Sequence, residues 1–220
     1  MNILLDDLPQ SVYLTDPDPP YIEREYAINS DFRTGIQFSV LMENEDIDDE
    51  EKAITALKLY YGQVPIQVQG AYEALINFYC CNEEPKKEES SEPPLFSYEQ
   101  DAPYILAAFW QQYRIDLTQT DMHWFKFQAL FNALSDKTQF MKIIGYRAWK
   151  PYEGCSKEEK AEMRKLQKHY ALKTKATKAL EKQNDELIKA LESGDMTAYN
   201  EKYLRKEVED GKHAEIQDGS

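Results

Sequence analysis

Glycine is scarce in this chain, with eight residues in 220. Few places remain for a turn that cradles phosphate, and neither GxGxxG nor GxxxxGK[ST] occurs. HExxH, GxSxG and CxxC are missing as well, so the common zinc-hydrolase, nucleophile-elbow and dithiol arrangements are excluded. Cysteine is nearly absent. Cys80 and Cys81 are adjacent and Cys155 stands alone, an odd set that builds no disulfide framework and lacks the second pair a zinc site needs. No apolar run approaches the roughly 18 to 20 residues of a membrane span. The N-terminal MNILLDDLPQS has neither a basic stretch nor a sustained apolar one, so it does not read as a secretory signal and cytosolic residence is expected. Forty carboxylates are present and any two can meet in three dimensions, but nothing in their spacing singles out an acid–base pair. The chain is therefore read as non-enzymatic, with no cofactor and no metal.

What is present is charge, unevenly placed. Residues 1–110 hold 6 Lys and Arg against 22 Asp and Glu, a net of −16, whereas residues 111–220 hold 20 against 18, a net of +2. Within the second half, residues 145–178 carry ten basic side chains and four acidic ones. Such a stretch attracts phosphate or an acidic protein surface. The acidic first half repels a polyanion and no nucleic-acid motif accompanies the patch, so nucleic acid is not expected as a partner.

Hydrophobic periodicity predicts a mainly α-helical fold. Val12 and Leu14 alternate before DPDPP, and alternation resumes through Ile22, Tyr26 and Ile28, which predicts a short β-hairpin. Asn29 or Ser30 is positioned to cap a helix whose Phe32, Ile36 and Val40 share a face, with Gly35 a weak point inside it. Asp48 or Asp49 starts the next helix, which buries Ile54, Leu57 and Tyr61 and stops at Gly62. The acids at Asp46, Asp48, Asp49, Glu50 and Glu51 lack the glycine and terminal glutamate of a calcium loop and read as a solvated helix start. A third helix carries Tyr72, Leu75, Ile76 and Tyr79. Residues 82–94, NEEPKKEESSEPP, form a charged, proline-rich loop. Asp101 then caps a helix with Ile105, Leu106, Phe109, Trp110 and Tyr113 at helical intervals.

The most chemically suggestive stretch is HWFKFQALFNAL, from His123 to Leu134. Trp124, Phe127, Phe131 and Leu134 recur at three, four and three residues, which places them on one helix side and His123 in the first turn. Each buried aromatic removes about 150–250 Å² from water, worth roughly 4–6 kcal/mol at about 25 cal/mol per Å². Packing alone accounts for the aromatic density, and His123 is expected at a boundary rather than in catalysis. A further helix through Phe140, Ile143 and Ile144 should stop near Gly145. Ser156 and Glu159 then form a capping box for a helix with a narrow seam of Met163, Leu166 and Tyr170. Beyond residue 172, Leu180, Leu187 and Leu191 are separated by polar residues and make the thin line of an exposed amphipathic helix. These leucines are the candidate protein-binding residues. SGD at 193–195 ends that helix, a last helix follows, and the final ten residues are expected to fray.

Three segments, INSDFRTGIQF, DAPYILAAFWQQYRIDLT and HWFKFQALFNALSDKTQFMKIIGYRA, resemble the bacteriophage gene-product-fifteen family of long-tailed phages and prophages. The resemblance spans roughly residues 1–172 and implies a tail-assembly chaperone, acting in the host bacterial cytoplasm, that holds the tape-measure protein while tail-tube subunits polymerise. It implies the tape-measure protein, and also the tail-tube protein, as partners. The expected organisation is a helical domain, 1–172, with an N-terminal hairpin, and a helical extension, 173–220, whose leucine line docks on its own domain, on another copy in a homo-oligomer, or on a client. A structural tail component of the virion, or an enzyme with an unrecognised carboxylate site, are the alternatives.

Overall fold

The computed structural model describes residues 7–15, 22–83 and 93–204. The chain is mainly α-helical and divides into two units, Met1–Ala171 and Leu172–Ser220. The first unit opens with an antiparallel hairpin of β1, Ser11–Thr15, and β2, Glu23–Ala27, in which Val12 faces Tyr26 and Leu14 faces Arg24. Leu14 and Ile28 reach the core, whereas Ile22 is exposed. The DPDPP turn and most of the predicted 82–94 loop, residues 84–92, lie outside the described residues.

Asp31, Asp48, Thr138 and Ser156 accept from orphan N–H groups at the starts of their helices, as short polar caps do. Asp31, not Asn29 or Ser30, caps α1 (Phe32–Glu43) by accepting from Arg33 N. Asp48 caps α2 (Asp49–Tyr61), and Gly62 closes it in the left-handed conformation at φ 74°, where a β-carbon would clash. α3 spans Val68–Tyr79, α4 Ala102–Tyr113, α5 Trp124–Asn132, α6 Gln139–Ala148 and α7 Lys157–His169. Thr138 caps α6, which runs through Gly145 for another turn rather than stopping there. One glycine in a helix costs only about 1 kcal/mol, too little to end it. At α7, Ser156 accepts from Glu159 N as expected, but the Glu159 carboxylate turns away to accept from the Tyr152 hydroxyl at 2.8 Å. The capping box is half made.

The core is a continuous aromatic stack. Phe127 lies parallel to Phe32, Phe109, Trp124 and Phe131, with ring centroids 4.9, 5.2, 5.7 and 5.8 Å away. Trp124, Phe127, Phe131 and Leu134 are all buried, as their spacing predicts, and Phe125 joins them. The predicted faces of α1, α2 and α4 are rotated. α1 buries Thr34, Gly35 and Phe38 beside Phe32 while Ile36 and Val40 stay half-buried; α2 buries Tyr60 in place of Tyr61; α4 buries Ala108 with Ile105 and Phe109 and leaves Trp110 exposed. In α3 the buried residues are Ala71, Leu75 and Phe78. Each shift is about one residue, or roughly 100° of helix, so the helices settle on the flank of the apolar stripe that meets the stack.

Gly35 lies directly beneath Trp124. A β-carbon at position 35 would stand 2.3 Å from Trp124 Cε3. Helix propensity alone favours Gly35→Ala by about 1 kcal/mol, yet forcing a methyl into a filled site costs about 1–3 kcal/mol. The overpacking wins. Gly35→Ala should lower the melting temperature, and an unchanged or raised value would show that the indole moves aside freely.

Candidate functional site

The start of α5 is where an aromatic pocket around a reactive histidine would be. The strand-like residues before α1 and α5 pair there, with Asp31 opposite His123, Phe32 N donating to Met122 O at 2.9 Å and Trp124 N to Ser30 O at 2.7 Å. His123 is the residue that caps α5, one position earlier than a first-turn residue. Its Nδ1 accepts from Phe125 N at 3.1 Å, and its Nε2 lies 2.9 Å from the Pro9 carbonyl. Because a carbonyl only accepts, the ring is the neutral tautomer protonated at Nε2. Both nitrogens are occupied by backbone, and the ring packs edge-to-face with Phe78 and Phe125. His123 holds two chain segments together through both ring nitrogens.

Burial lowers the His123 pKa below the ordinary histidine value, partly offset by the Pro9 hydrogen bond. The unfolded state therefore binds more protons than the folded state between the two pKa values. The stability contributed is fully present above about pH 6.5, the unfolded value, and is lost as pH falls through the folded one. A melting-temperature profile should decline below that pH, and His123→Asn, which can still cap, should remove this part of the decline. An identical acid limb in both proteins would assign it to other groups.

Burial also shapes other titratable side chains of this unit. Cys81 is pushed up to about 11, chiefly by burial and then by Glu83 and Cys80; burial also raises Cys80, so both are thiols rather than nucleophilic thiolates near neutrality. The Tyr60 hydroxyl is buried with no hydrogen-bond partner among the described residues, and burial first, then neighbouring ionisable groups, drives its ionisation far upward. Asp101 occupies the N-cap position of α4 without bonding the helix N–H groups. Its carboxylate instead accepts from Arg147 Nη1 and Nη2 at 2.7 and 2.9 Å and from Ser97 N at 3.1 Å. Arg147 also donates to the carbonyls of Tyr170 and Leu95 at 2.6 and 3.0 Å, so both carboxylate oxygens and four of the five guanidinium N–H groups are committed. No group of three or more His, Cys, Asp or Glu among the described residues is placed to hold a metal ion.

The predicted leucine line lies in the second unit. Thr174 caps α8, Lys175–Ser193, and Gly194 ends it at φ 73°, which places the SGD break where the sequence has it. α9, Thr197–Tyr199, continues into a π-helical turn, Asn200–Leu204, and covers one edge of α8. Gln183 Nε2 donates to the Tyr199 hydroxyl at 3.3 Å, Lys202 pairs with Glu186 at 2.7 Å, and Ala190 is buried. Leu180, Leu187 and Leu191 fall within about 40° of one another around the helix. They divide by burial: Leu187 is half-buried, while Leu180 and Leu191 are 57% and 63% exposed. Ile188, 53% exposed, extends the open side and is absent from the predicted line. Its position one residue after Leu187 was the available signal.

No helix among the described residues is long and apolar enough to cross a membrane. No curated protein and no solved structure matches the chain. A family model, described as Bacteriophage Gp15 protein, matches residues 14–172. The match begins within β1 and ends where the second unit begins, so it contains every helix of the aromatic-cored unit and excludes α8. Covering well over half of the sequence, it places this chain in the Bacteriophage Gp15 protein family.

Proposed function

We propose that this protein is a non-enzymatic tail-assembly chaperone that holds the phage tape-measure protein while the tail tube polymerises around it. Membership in a bacteriophage family supports a structural or morphogenetic role. The observation that carries the finer reading is the open side of α8, where Leu180, Ile188 and Leu191 stand more than half exposed beside a covered edge. A helical client presents apolar residues at i, i+3, i+4 and i+7 to such a stripe. Covering the exposed parts of three side chains gains roughly 1–1.5 kcal/mol each, against an association cost of about 4–15 kcal/mol. One stripe alone does not outweigh that cost, so holding a client needs several attachment points, each of them reversible. That suits a holder that must release its client better than a permanent joint in the virion.

Co-expression with the tape-measure protein of the same phage should keep that client in the soluble fraction. Leu180→Ser combined with Leu191→Ser should lower the soluble yield without changing the melting of the first unit. Equal precipitation with and without the chaperone contradicts the reading. Mass spectrometry of purified particles separates the structural alternative, because a chaperone leaves before the tail is complete and a tail component stays.

A further inference from the structure

α7 gathers the basic stretch of the sequence onto one side. At about 100° per residue, Lys157, Lys160, Arg164, Lys165 and Lys168 fall within an arc of about 140° that contains no acidic residue. Glu158 and Glu162 lie beyond its edge. Four of the five are exposed and Lys160 is half-buried. None of the ion pairs among the described residues includes any of the five, and the Lys160 charge helps to lower the pKa of Glu159. The opposite face is anchored, with Met163 and Leu166 half-buried and Gln167 Nε2 donating to the Trp149 carbonyl at 2.8 Å. The stripe is therefore presented on a fixed helix.

Lys160, Arg164 and Lys168 form an i, i+4, i+8 row of like charges, an arrangement that weakens a helix. In a chain with 40 acidic and 26 basic residues, intervening carboxylates would relieve that repulsion. The complementary charge is elsewhere in the same chain. Residues 1–110 carry 22 acids against 6 bases, and the carboxylates from Glu45 to Glu51 are all exposed. Long-range repulsion between two acidic copies is screened beyond about 8 Å at physiological salt, so local opposites decide the contact.

We propose that the basic face of α7 docks on the acidic first half of a second copy of this chain. The two surfaces differ, so the contact is head-to-tail: each copy offers one donor stripe and one acceptor surface. Such a contact propagates into rings or short chains. This inference is independent of α8 and of the client.

The test uses the full-length protein in sedimentation velocity across a concentration series. The wild type should gain mass with concentration near about 0.1 M salt and lose that gain near about 1 M, where screening reaches about 3 Å. The triple variant Lys157→Glu, Arg164→Glu, Lys168→Glu should sediment as a monomer alone, with its circular dichroism showing the helix intact. Mixed with wild type it should still act as an acceptor, and in excess it should cap growth and reduce the average mass toward dimers. A wild type that stays monomeric at every concentration overturns the proposal, as does a triple variant that self-associates like the wild type. Monomeric protein whose stripe instead binds a duplex DNA probe, with binding lost in the triple variant, overturns it in favour of a polyanion.

Discussion

Trp124→Ala is expected to destabilise the first unit by about 3–5 kcal/mol, the range for emptying an aromatic core site. Trp124 is 1% exposed, stacks on Tyr79 at 5.1 Å, and donates its indole N–H to the Tyr79 carbonyl at 2.8 Å. Alanine removes the ring, the hydrogen bond and the lid over Gly35 together. For a unit of this size the melting temperature should fall on the order of 10 °C. The structure also makes a finer claim. In the Trp124→Ala background the Gly35→Ala methyl enters vacated space, so its penalty should vanish and the helix-propensity gain should emerge. Additive effects of the two substitutions would mean that the ring and the glycine are not in contact. A variant that melts with the wild type would show that Trp124 is not core at all.

The second large effect is expected at Arg147. With Asp101 1% and Arg147 10% exposed, Arg147→Met leaves a buried carboxylate with the Ser97 N–H and little else, and also strands two carbonyls. Removing one partner of a buried ion pair costs about 3–5 kcal/mol. The double variant Arg147→Met, Asp101→Leu should recover much of that loss, because an apolar pair carries no unpaired charge, although the freed Ser97 N–H and the Tyr170 and Leu95 carbonyls keep it below wild type. Chemical denaturation of the two single variants and the double gives the coupling directly. A coupling near zero would show that the pair is solvated and does not join the start of α4 to the end of α6. The same experiment bears on function. The alternative of a carboxylate-based enzyme loses the most buried carboxylate among the described residues if Asp101 serves this pair.

Local chemistry made much of this protein readable. Asp48, Ser156 and Gly62 act within a few residues of themselves, and the energies involved, about 1 kcal/mol for a cap, operate whatever surrounds the helix. The hairpin, the starts of α2 and α7 and the inward turn of Trp124, Phe127 and Phe131 follow from that and from the helical period. The thin leucine line of α8 was legible for the same reason, since an apolar stripe too narrow for a core leaves Leu180 and Leu191 open.

Faces were less legible because the period leaves about one residue of freedom. Tyr60 and Tyr61 are equally apolar neighbours; Tyr61 turns out and donates to the Ala71 carbonyl at 2.9 Å while Tyr60 buries its hydroxyl. Only the position of the ring stack chooses between them. His123 reads as a helix-flanking residue in sequence, but its second bond goes to Pro9, more than a hundred residues away. Asp101 reads as a helix cap and becomes the partner of Arg147. Gly35 reads as a weak point in a helix and becomes the floor under an indole. Capping and periodicity are settled by neighbours along the chain, so composition and spacing decided the helices and their aromatic lining. Rotation of each helix, the Asp101–Arg147 pair and the Gly35–Trp124 contact depend on groups brought together from distant positions, where packing density leaves a single arrangement without clash.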